Sequence, residues 1–284
     1  MRAGRHRAAQ GKKERGGRKR DGPSGHCFPS RASSGYAVAV AGSLVVNEIY
    51  RSVQGESTFA GLPCVFVRLT GCALRCSYCD TAYAFTAGAR RSFEDIREAV
   101  EQLAAPHAGQ RILEHRLPLV EFTGGEPLLQ IQAPALMREF CDAGFTVLVE
   151  TGGAHDIGML DPRIRRIMDL KTPSSGESAR NRWENIAQLQ PTDEVKFVIG
   201  TREDYEWARD VLLRHQLAGR CPLLFSWVAP LVPHQHDASL KPLPAGATPI
   251  SRQELVEALL EDHLPVRFQL QMHKFIWPPD QKGV

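Results

Sequence analysis

Short apolar runs alternate with amphipathic helical patterns along this chain of 284 residues, from Leu44 almost to its end. Helical spacing of apolar residues predicts helices that begin at Ser92 and over 133–143, 201–217 and 251–263, the last with a capping box from Ser251 to Glu254. Repeated strand–helix alternation predicts an α/β fold with a parallel sheet, either open or curled into a barrel. The predicted strands are β-branched or aliphatic runs typical of parallel sheets, at residues 45–50, 64–69, 117–122, 145–150, 166–170, 194–199, 222–228 and 266–271.

Polar motifs follow four of these predicted strands at their carboxyl ends. They are a cysteine-containing segment after Leu69, the segment TGGEP that begins at Thr123, the segment ETGG that begins at Glu150, and the segment DLK over 169–171. In parallel sheets, whether open or barrel-shaped, ligands bind at the carboxyl ends of the strands. The four motifs therefore predict one composite site at one edge of the sheet.

Three cysteines stand close together in the segment 71–81, GCALRCSYCDT, with three and then two residues between them. Thiolates at this spacing, from Cys72, Cys76 and Cys79, suit a soft metal or an iron–sulfur cluster. A structural zinc site usually needs a second cysteine pair, and the other four cysteines are scattered singly. An odd cysteine count in a long chain without a signal-peptide pattern argues against a disulfide scaffold. The triplet favours a [4Fe–4S] cluster with one iron free of protein ligands.

Charge divides the chain into two parts. Residues 1–42 carry ten Lys and Arg against Glu14 and Asp21, a net charge of +8, whereas 25 basic and 30 acidic residues give residues 43–284 a net charge of −5. The basic head lacks apolar periodicity and is predicted to be a disordered extension, either dispensable or a nucleic-acid tether or targeting segment. Residues 43–284 form the predicted core domain, whose mild acidity gives no reason to expect nucleic-acid binding. No apolar run reaches membrane-spanning length, so we expect a soluble, cytoplasmic protein.

The cysteine spacing resembles that of radical S-adenosylmethionine (radical SAM) enzymes, and so does TGGEP, which in that superfamily holds the methionyl amino group of the cofactor. Glycines there let backbone atoms approach a ligand closely. Four further segments are more specific: NEIYRSVQGE at 47–56, FVRLTGC at 66–72, CDT at 79–81 and QLQMHKFIW at 269–277. Together they resemble one family, the 7-carboxy-7-deazaguanine synthases, and this resemblance implies a partial (open) TIM-like β/α barrel of the radical SAM type.

The resemblance implies a lyase of queuosine and 7-deazapurine biosynthesis. Such an enzyme converts 6-carboxy-5,6,7,8-tetrahydropterin to 7-carboxy-7-deazaguanine with release of ammonia, using a [4Fe–4S] cluster, S-adenosylmethionine and Mg²⁺. The resemblance also implies a homodimer and an electron donor such as flavodoxin or ferredoxin. Two alternatives are a radical SAM activase of a glycyl-radical protein and an iron–sulfur electron carrier. Gln54, Gly55 and Glu56 with Arg68 argue against an activase, which needs no site for a small anion, and the glycine-rich strand ends argue against a carrier.

Residues at matching positions receive roles from this resemblance. No side chain is assigned a catalytic role, because the cofactor supplies the radical. Cys72, Cys76 and Cys79 are implied cluster ligands, and Thr81 is implied to reach magnesium, which prefers oxygen ligands. The implied residues for S-adenosylmethionine are Gly125, Glu150, Asp169, Leu170 and Lys171. The implied substrate-binding residues are Val53, Gln54, Gly55, Glu56, Arg68, Thr123, His273 and Pro279.

Residue chemistry supports some of these roles and leaves others open. The amide of Gln54 can pair with the donor–acceptor edge of a pterin. The guanidinium of Arg68 suits a bidentate contact with the substrate carboxylate, and the alternative is a structural ion pair on its strand. Glu150 has two interpretations, a partner of the cofactor or of a neighbouring loop. His273 is placed either beside the substrate or in a purely structural role.

The chain departs from the family pattern at three points. Ser57 stands where a second glycine is common, which reduces the backbone freedom of that loop. The asparagine expected after Thr151 is missing. Some members end at the position of Pro279 and place a terminal carboxylate against the substrate, whereas this sequence continues to Val284.

Overall fold

In the computed structural model, which describes residues 41–278 and 281–284, nine of the eleven described strands form one sheet. The sheet order is β11-β10-β9-β8-β7-β6-β2-β1-β3, and the two edges do not pair with each other. The strands are β1 Ser43–Val53, β2 Pro63–Leu69, β3 Ala89–Ser92, β4 Arg111–Ile112, β5 His115–Arg116, β6 Leu119–Gly124, β7 Val147–Thr151, β8 Arg165–Asp169, β9 Glu194–Ile199, β10 Leu223–Trp227 and β11 Arg267–Gln269.

Strand β2 and strands β6 to β11 are parallel, which confirms the predicted α/β class with an open sheet. The helices are α1 Phe93–Ala104, α2 Ala133–Asp142, α3 Arg202–Arg214, α4 Arg252–Glu261 and the short α5 His273–Ile276. In this part of the chain, no α-helix separates β7 from β8 or β8 from β9, so the barrel is partial. None of the described helices has both the length and the apolarity to cross a membrane.

All eight predicted strands are present, with ends displaced by a few residues. Capping boxes at Ser92, Thr201 and Ser251 begin α1, α3 and α4, which confirms the predicted box at Ser251. Strand β1 is an exception to the parallel prediction, because it pairs antiparallel with both β2 and β3. The predicted extension over 1–42 lies almost entirely outside the described residues, and its end next to β1 is not tested.

The two faces of the sheet have different chemistry because successive side chains of a strand point to opposite sides. On β9, Val195, Phe197 and Ile199 belong to the main hydrophobic core together with residues of the helices. Glu194 and Lys196 on the same strand face the opposite, inner side, where the first contacts Thr58. A second apolar cluster fills part of this inner side and consists of Phe59, Cys64, Phe66, Leu117, Leu119, Leu148 and Ile167.

Candidate active site

A single cavity on the inner side of the sheet collects nearly all of the residues that the sequence placed in the site. Leu170 is outside it, because its side chain is fully buried in the main core, and Pro279 lies outside the described residues. The predicted composite site at the carboxyl ends of the strands is therefore present, while the role of each residue remains a prediction. The predicted residues that line the cavity are Val53, Gln54, Gly55, Glu56, Arg68, Cys72, Cys76, Cys79, Thr81, Thr123, Gly125, Glu150, Asp169, Lys171 and His273.

The three cysteines of the triplet form one end of this cavity. Burial raises the pKa of the Cys76 thiol to about 12 and that of Cys79 to about 11. Thiols with such pKa values stay protonated at neutral pH unless a metal displaces the proton. Among the described residues, no three His, Cys, Asp or Glu side chains meet closely enough to hold a single metal ion. Three free thiols that open on one cavity without meeting at one point suit the ligands of a larger cluster.

The two glycines of TGGEP pack directly against the loop that carries the cysteines. A Cβ atom on Gly124 would lie 2.2 Å from the carbonyl oxygen of Leu69, and one on Gly125 would lie 2.1 Å from that of Gly71. The amide of Gly125 donates to Leu69 O at 3.1 Å, and that of Glu126 donates to Gly71 O at 2.8 Å. Glycine is required here because the backbone of the chain itself takes the space, a reason that adds to the predicted approach of a ligand.

Glu126 ties this glycine segment to the end of the neighbouring strand β7. Its carboxylate accepts hydrogen bonds from Thr151 Oγ1 at 2.8 Å, from the Gly152 amide at 2.7 Å and from the Leu128 amide at 3.0 Å. The sequence analysis gave this residue no role. The structure shows that it holds two of the four polar motifs in a fixed relation.

Asp169 and Lys171 form a buried ion pair beside the cysteines, with Lys171 Nζ 2.8 Å from Asp169 Oδ2. Burial alone would lower the pKa of Lys171, but the Asp169 carboxylate holds it well above the usual value, so the lysine stays charged. The second oxygen, Asp169 Oδ1, is buried and has no hydrogen-bond partner among the described residues. A buried acceptor without a partner fits a ligand that brings N–H or O–H donors, as S-adenosylmethionine does.

The other end of the cavity is built around the loop after β1. Gln54 Nε2 donates to Glu121 Oε2 at 2.8 Å, and Gln54 Oε1 accepts from the Glu56 amide at 2.5 Å. The amide group predicted to read a pterin edge therefore has protein partners at both ends. Within this structure, Gln54 shapes the loop and positions Glu121, and its predicted contact with the substrate remains untested.

A buried charge cluster forms the wall next to this loop. Lys196 Nζ donates to Glu56 Oε2 at 2.9 Å and also to Glu150 Oε1, and Gln271 Nε2 donates to Glu56 Oε1 at 3.0 Å. Burial opposes ionisation of Glu56, but Lys196 holds the pKa of its carboxyl below the usual value. Neither Lys196 nor Glu121 was predicted as a site residue. The signal in the sequence is a charged residue between apolar neighbours within a predicted strand, as in VKF of β9 and VEF of β6.

Glu150 lies within this charge cluster, where it also accepts a hydrogen bond from Thr123 Oγ1 at 3.2 Å. Its two partners in the structure, Lys196 and Thr123, are both side chains of neighbouring strands. This arrangement favours neither of the two roles considered from the sequence, because it joins Glu150 to side chains of the adjacent strands and not to a loop or a ligand. The predicted contact with S-adenosylmethionine remains untested.

Arg68 serves a structural ion pair and faces the cavity at the same time. Its Nε donates to Glu48 Oε1 at 2.7 Å, and its Nη2 donates to Tyr50 Oη at 2.7 Å. Neighbouring acidic and aromatic groups raise its pKa despite burial, so the guanidinium is charged. Nη1 has no protein partner among the described residues, so the guanidinium keeps donors for an anion.

The C-terminal segment closes the same end. Lys274 Nζ lies 2.6 Å from Asp80 Oδ2, which lowers the pKa of Asp80 to about 2 although burial opposes this. The Met272 amide donates to Gly55 O at 2.9 Å, and a Cβ on Gly55 would lie 2.5 Å from His273 Nδ1. The loop after β1 and the segment around His273 are thus packed together beside the cysteine loop.

The backbone conformation of Ser57 explains why glycine is common in the family at this position. Its φ is 61°, in the left-handed region that favours glycine. Gln269 holds this conformation, because its Oε1 accepts from the Ser57 amide at 3.2 Å and its Nε2 donates to Ser57 O at 2.7 Å. Two hydrogen bonds from one side chain therefore hold the serine in a conformation that favours glycine.

Residues 66–214 match the radical SAM superfamily. The chain is 41% identical over 241 residues to the 7-carboxy-7-deazaguanine synthase of Koribacter versatilis, covering 84% of this chain and 99% of that protein. The chain belongs to the 7-carboxy-7-deazaguanine synthase family. The protein of that name from Chlorobaculum tepidum is 40% identical over 244 residues, covering 85% of this chain and 97% of its own length.

Structural comparison agrees at the level of the fold. The crystal structure of QueE from Escherichia coli matches with a TM-score of 0.56 and 20% identity, over 81% of this chain and 95% of that one. The predicted family, fold class and enzyme class are therefore confirmed, as are the [4Fe–4S] cluster and S-adenosylmethionine as cofactors of a radical SAM enzyme.

Proposed function

We propose that this member of the family converts 6-carboxy-5,6,7,8-tetrahydropterin to 7-carboxy-7-deazaguanine and ammonia. The observation that carries the proposal is the composition of the cavity. Cysteines and the Asp169–Lys171 pair lie at one end, Glu56 and Glu150 lie together around Lys196 at the other, and Arg68 also lines the cavity. One cavity with both ends can hold the cofactor and a small polar heterocycle side by side.

The chain's own residues bind and orient the two ligands. When bound, the cluster and S-adenosylmethionine supply the radical that removes a hydrogen atom from C6 of the pterin. Cys72, Cys76 and Cys79 would hold the cluster, and Asp169 Oδ1 is an acceptor for the donor groups of S-adenosylmethionine. On the other side, the carboxylate of Glu56 suits the N–H donors of the pterin.

The walls of the cavity limit access of water to the reacting centre. Leu74, Phe85, Val198 and Val228 contribute apolar surface to its lining. Exclusion of water strengthens the charge interactions inside the site and protects a reactive species from side reactions. The fit of the cavity to a radical reaction therefore rests on these apolar walls as well as on the polar groups.

Further parts of the proposal concern a magnesium ion, the electron donor, a second subunit and the location of the protein. We place Mg²⁺ at Thr81, whose hydroxyl lines the cavity beside the cysteines and offers a hard oxygen ligand. An electron donor such as flavodoxin or ferredoxin would reduce the cluster. We also propose a homodimer, as the family resemblance implies, and a cytoplasmic location, as expected from the sequence.

The direct test is anaerobic reconstitution with iron and sulfide, followed by incubation with S-adenosylmethionine, a reductant, Mg²⁺ and the carboxylated tetrahydropterin. We expect one 7-carboxy-7-deazaguanine and one ammonia for each pterin consumed. Cleavage of S-adenosylmethionine without conversion of the pterin would contradict the proposed substrate and favour another radical SAM reaction, such as activation of a partner protein.

Replacing Arg68 with alanine is expected to weaken binding of the carboxylated pterin by tenfold to a hundredfold. A charge-assisted hydrogen bond to a carboxylate contributes roughly 1.5–3 kcal/mol, and about 1.4 kcal/mol corresponds to a tenfold change in affinity. Binding of S-adenosylmethionine should change little, because Arg68 contacts Glu48 and Tyr50 and neither member of the Asp169–Lys171 pair. The measurement is equilibrium binding of each ligand to the reconstituted protein without reductant.

Glu48→Gln is the matched control, because it weakens the ion pair on the strand and keeps the guanidinium. We expect it to lower the melting temperature while the affinity for the pterin stays within about threefold of the wild type. If both variants lose equal stability and neither loses affinity for the pterin, Arg68 is a structural residue and leaves the proposed site.

A further inference from the structure

Glu121 is a buried residue beside the charge cluster to which the proposed function gives no role. It lies on β6, its side chain is 1% exposed, and it lines the cavity. Oε2 accepts the hydrogen bond from Gln54 Nε2 at 2.8 Å. Oε1 has no hydrogen-bond partner in the described part of the chain. One oxygen is therefore fixed by the protein, and the other is available to a ligand.

The charge balance around Glu121 favours a neutral carboxylic acid. Glu56, Glu121 and Glu150 share this wall with one ammonium group, that of Lys196, which already binds both Glu56 and Glu150. A third carboxylate in this buried space would carry a charge without a partner of its own. Burial and the nearby Glu150 raise the pKa of Glu121 to about 8.

A protonated Glu121 changes what the wall offers to a ligand. Since Oε2 accepts from Gln54, the proton resides on Oε1, where it is available for donation into the cavity. The wall then presents acceptors on Glu56 and Glu150 and a donor on Glu121. The 2-amino-4-oxo edge of a pterin has the complementary pattern, with N–H donors beside a carbonyl acceptor.

We propose that the carboxyl group of Glu121 binds substrate as a hydrogen-bond donor, giving its O–H to an acceptor of the pterin ring such as the 4-oxo group. The inference rests on the proposed function, because it names a contact to the substrate of that reaction. It makes Glu121 a specificity residue that distinguishes an oxo group from an amino group at this ring position. Ionisation of Glu121 then weakens binding, since a carboxylate has no proton to donate.

The tyrosine, cysteine and lysine that face Glu121 keep their charge states between pH 7 and 9, so the ionisation of Glu121 can be measured separately. Burial raises the pKa of Tyr50 to about 12 and raises that of Cys64 well above its usual value, so both stay neutral between pH 7 and 9. The partners of Lys196 hold its pKa well above the usual value despite burial, so it stays charged. The facing groups from the surrounding elements are Tyr50 on β1, Glu56 in the loop after β1, Cys64 on β2, Glu150 on β7 and Lys196 on β9.

The test is calorimetric binding of the carboxylated pterin to the holoenzyme with S-adenosylmethionine and without reductant, so that no turnover occurs. For the wild type we expect the affinity to be about tenfold weaker at pH 9 than at pH 7. At pH 9, one unit above its pKa of about 8, Glu121 keeps its proton in only about one molecule in eleven. Measured in buffers of different ionisation enthalpy, binding at pH 9 should take up about 0.9 proton per pterin.

Glu121→Gln keeps a donor at the same place and cannot ionise. We expect its affinity to be about threefold weaker than that of the wild type at pH 7, with no tenfold change and no proton uptake at pH 9. Glu121→Ala should weaken binding by at least about tenfold at pH 7. Glu194→Gln is the matched control, a buried glutamate on the same face that contacts Thr58 and does not line the cavity. It should keep the wild-type dependence on pH.

The possible results separate the two proposals. A wild type whose affinity is the same at pH 7 and 9, or a Glu121→Gln variant that still takes up a proton, overturns the role of Glu121 alone. A holoenzyme that does not bind the carboxylated pterin at any pH overturns the proposed function and this inference with it. Titration of the free pterin affects all variants equally, so the comparison between them cancels it.

Discussion

Replacing Cys76 with alanine is expected to abolish both assembly of the [4Fe–4S] cluster and cleavage of S-adenosylmethionine. The triplet supplies three thiolates, and the thiol of Cys76 opens on the cavity together with those of Cys72 and Cys79. With two cysteine ligands left, two irons of the cluster have no bond to the protein. The two remaining thiols become thiolates only when a metal binds them, so they do not compensate for the loss. Iron and sulfide content, visible absorption and formation of 5′-deoxyadenosine measure the two losses separately.

Cys221→Ala is the matched control for this prediction. Cys221 is a free, half-buried cysteine that packs against the main core and does not line the cavity. We expect this variant to bind a full complement of iron and to cleave the cofactor at close to the wild-type rate. A Cys76→Ala protein with wild-type iron content and normal cleavage would contradict the assignment of the triplet as cluster ligands.

Replacing Lys196 with methionine is expected to destabilise the protein by about 3–5 kcal/mol, since removing one partner of a buried pair leaves an uncompensated charge. The side chain of Lys196 is 5% exposed and binds the carboxylates of both Glu56 and Glu150. For a folded part of this size, the loss corresponds to a fall in melting temperature on the order of 10 °C. Thermal unfolding by circular dichroism measures it, and binding of the pterin should be lost in parallel.

Two further variants test the reason for this loss. Arg182→Met removes a half-exposed arginine whose ion pair with the equally exposed Asp156 is 3.4 Å long, and it should cost less than about 1 kcal/mol. Adding Glu150→Gln to Lys196→Met should recover part of the stability, because it removes one of the two unpaired charges. If Lys196→Met costs no more than Arg182→Met, the buried charge cluster does not have the role given to it here.

The strands that could be predicted from the sequence are those with buried apolar side chains. Val195, Phe197 and Ile199 form an apolar run in the sequence and a buried strand in the structure. Strand β3 and the hairpin of β4 and β5 escaped prediction because they are short and carry exposed or half-buried polar residues, so no pattern of burial marks them. The antiparallel direction of β1 depends on its pairing with β2 and β3, which the local pattern of one strand does not encode.

For the candidate site, the location could be predicted from the sequence and the contacts between side chains could not. Motifs at strand ends located the cavity, because the topology of a parallel sheet brings those ends to one edge. The hydrogen-bond partners could not be predicted, since they depend on the packing of three strands and a loop around Lys196. Gln54 illustrates the limit, because its amide chemistry suits a pterin and the structure gives both of its ends to Glu121 and Glu56.

The central claim is that one cavity holds the radical source and the pterin as neighbours, and label transfer tests it most directly. The reconstituted enzyme is incubated with the carboxylated tetrahydropterin that carries deuterium at C6. We expect deuterium in the 5′-deoxyadenosine or in recovered S-adenosylmethionine, and none at that carbon in the 7-carboxy-7-deazaguanine formed. Cofactor cleavage with all the deuterium retained in unconverted pterin would contradict the claim.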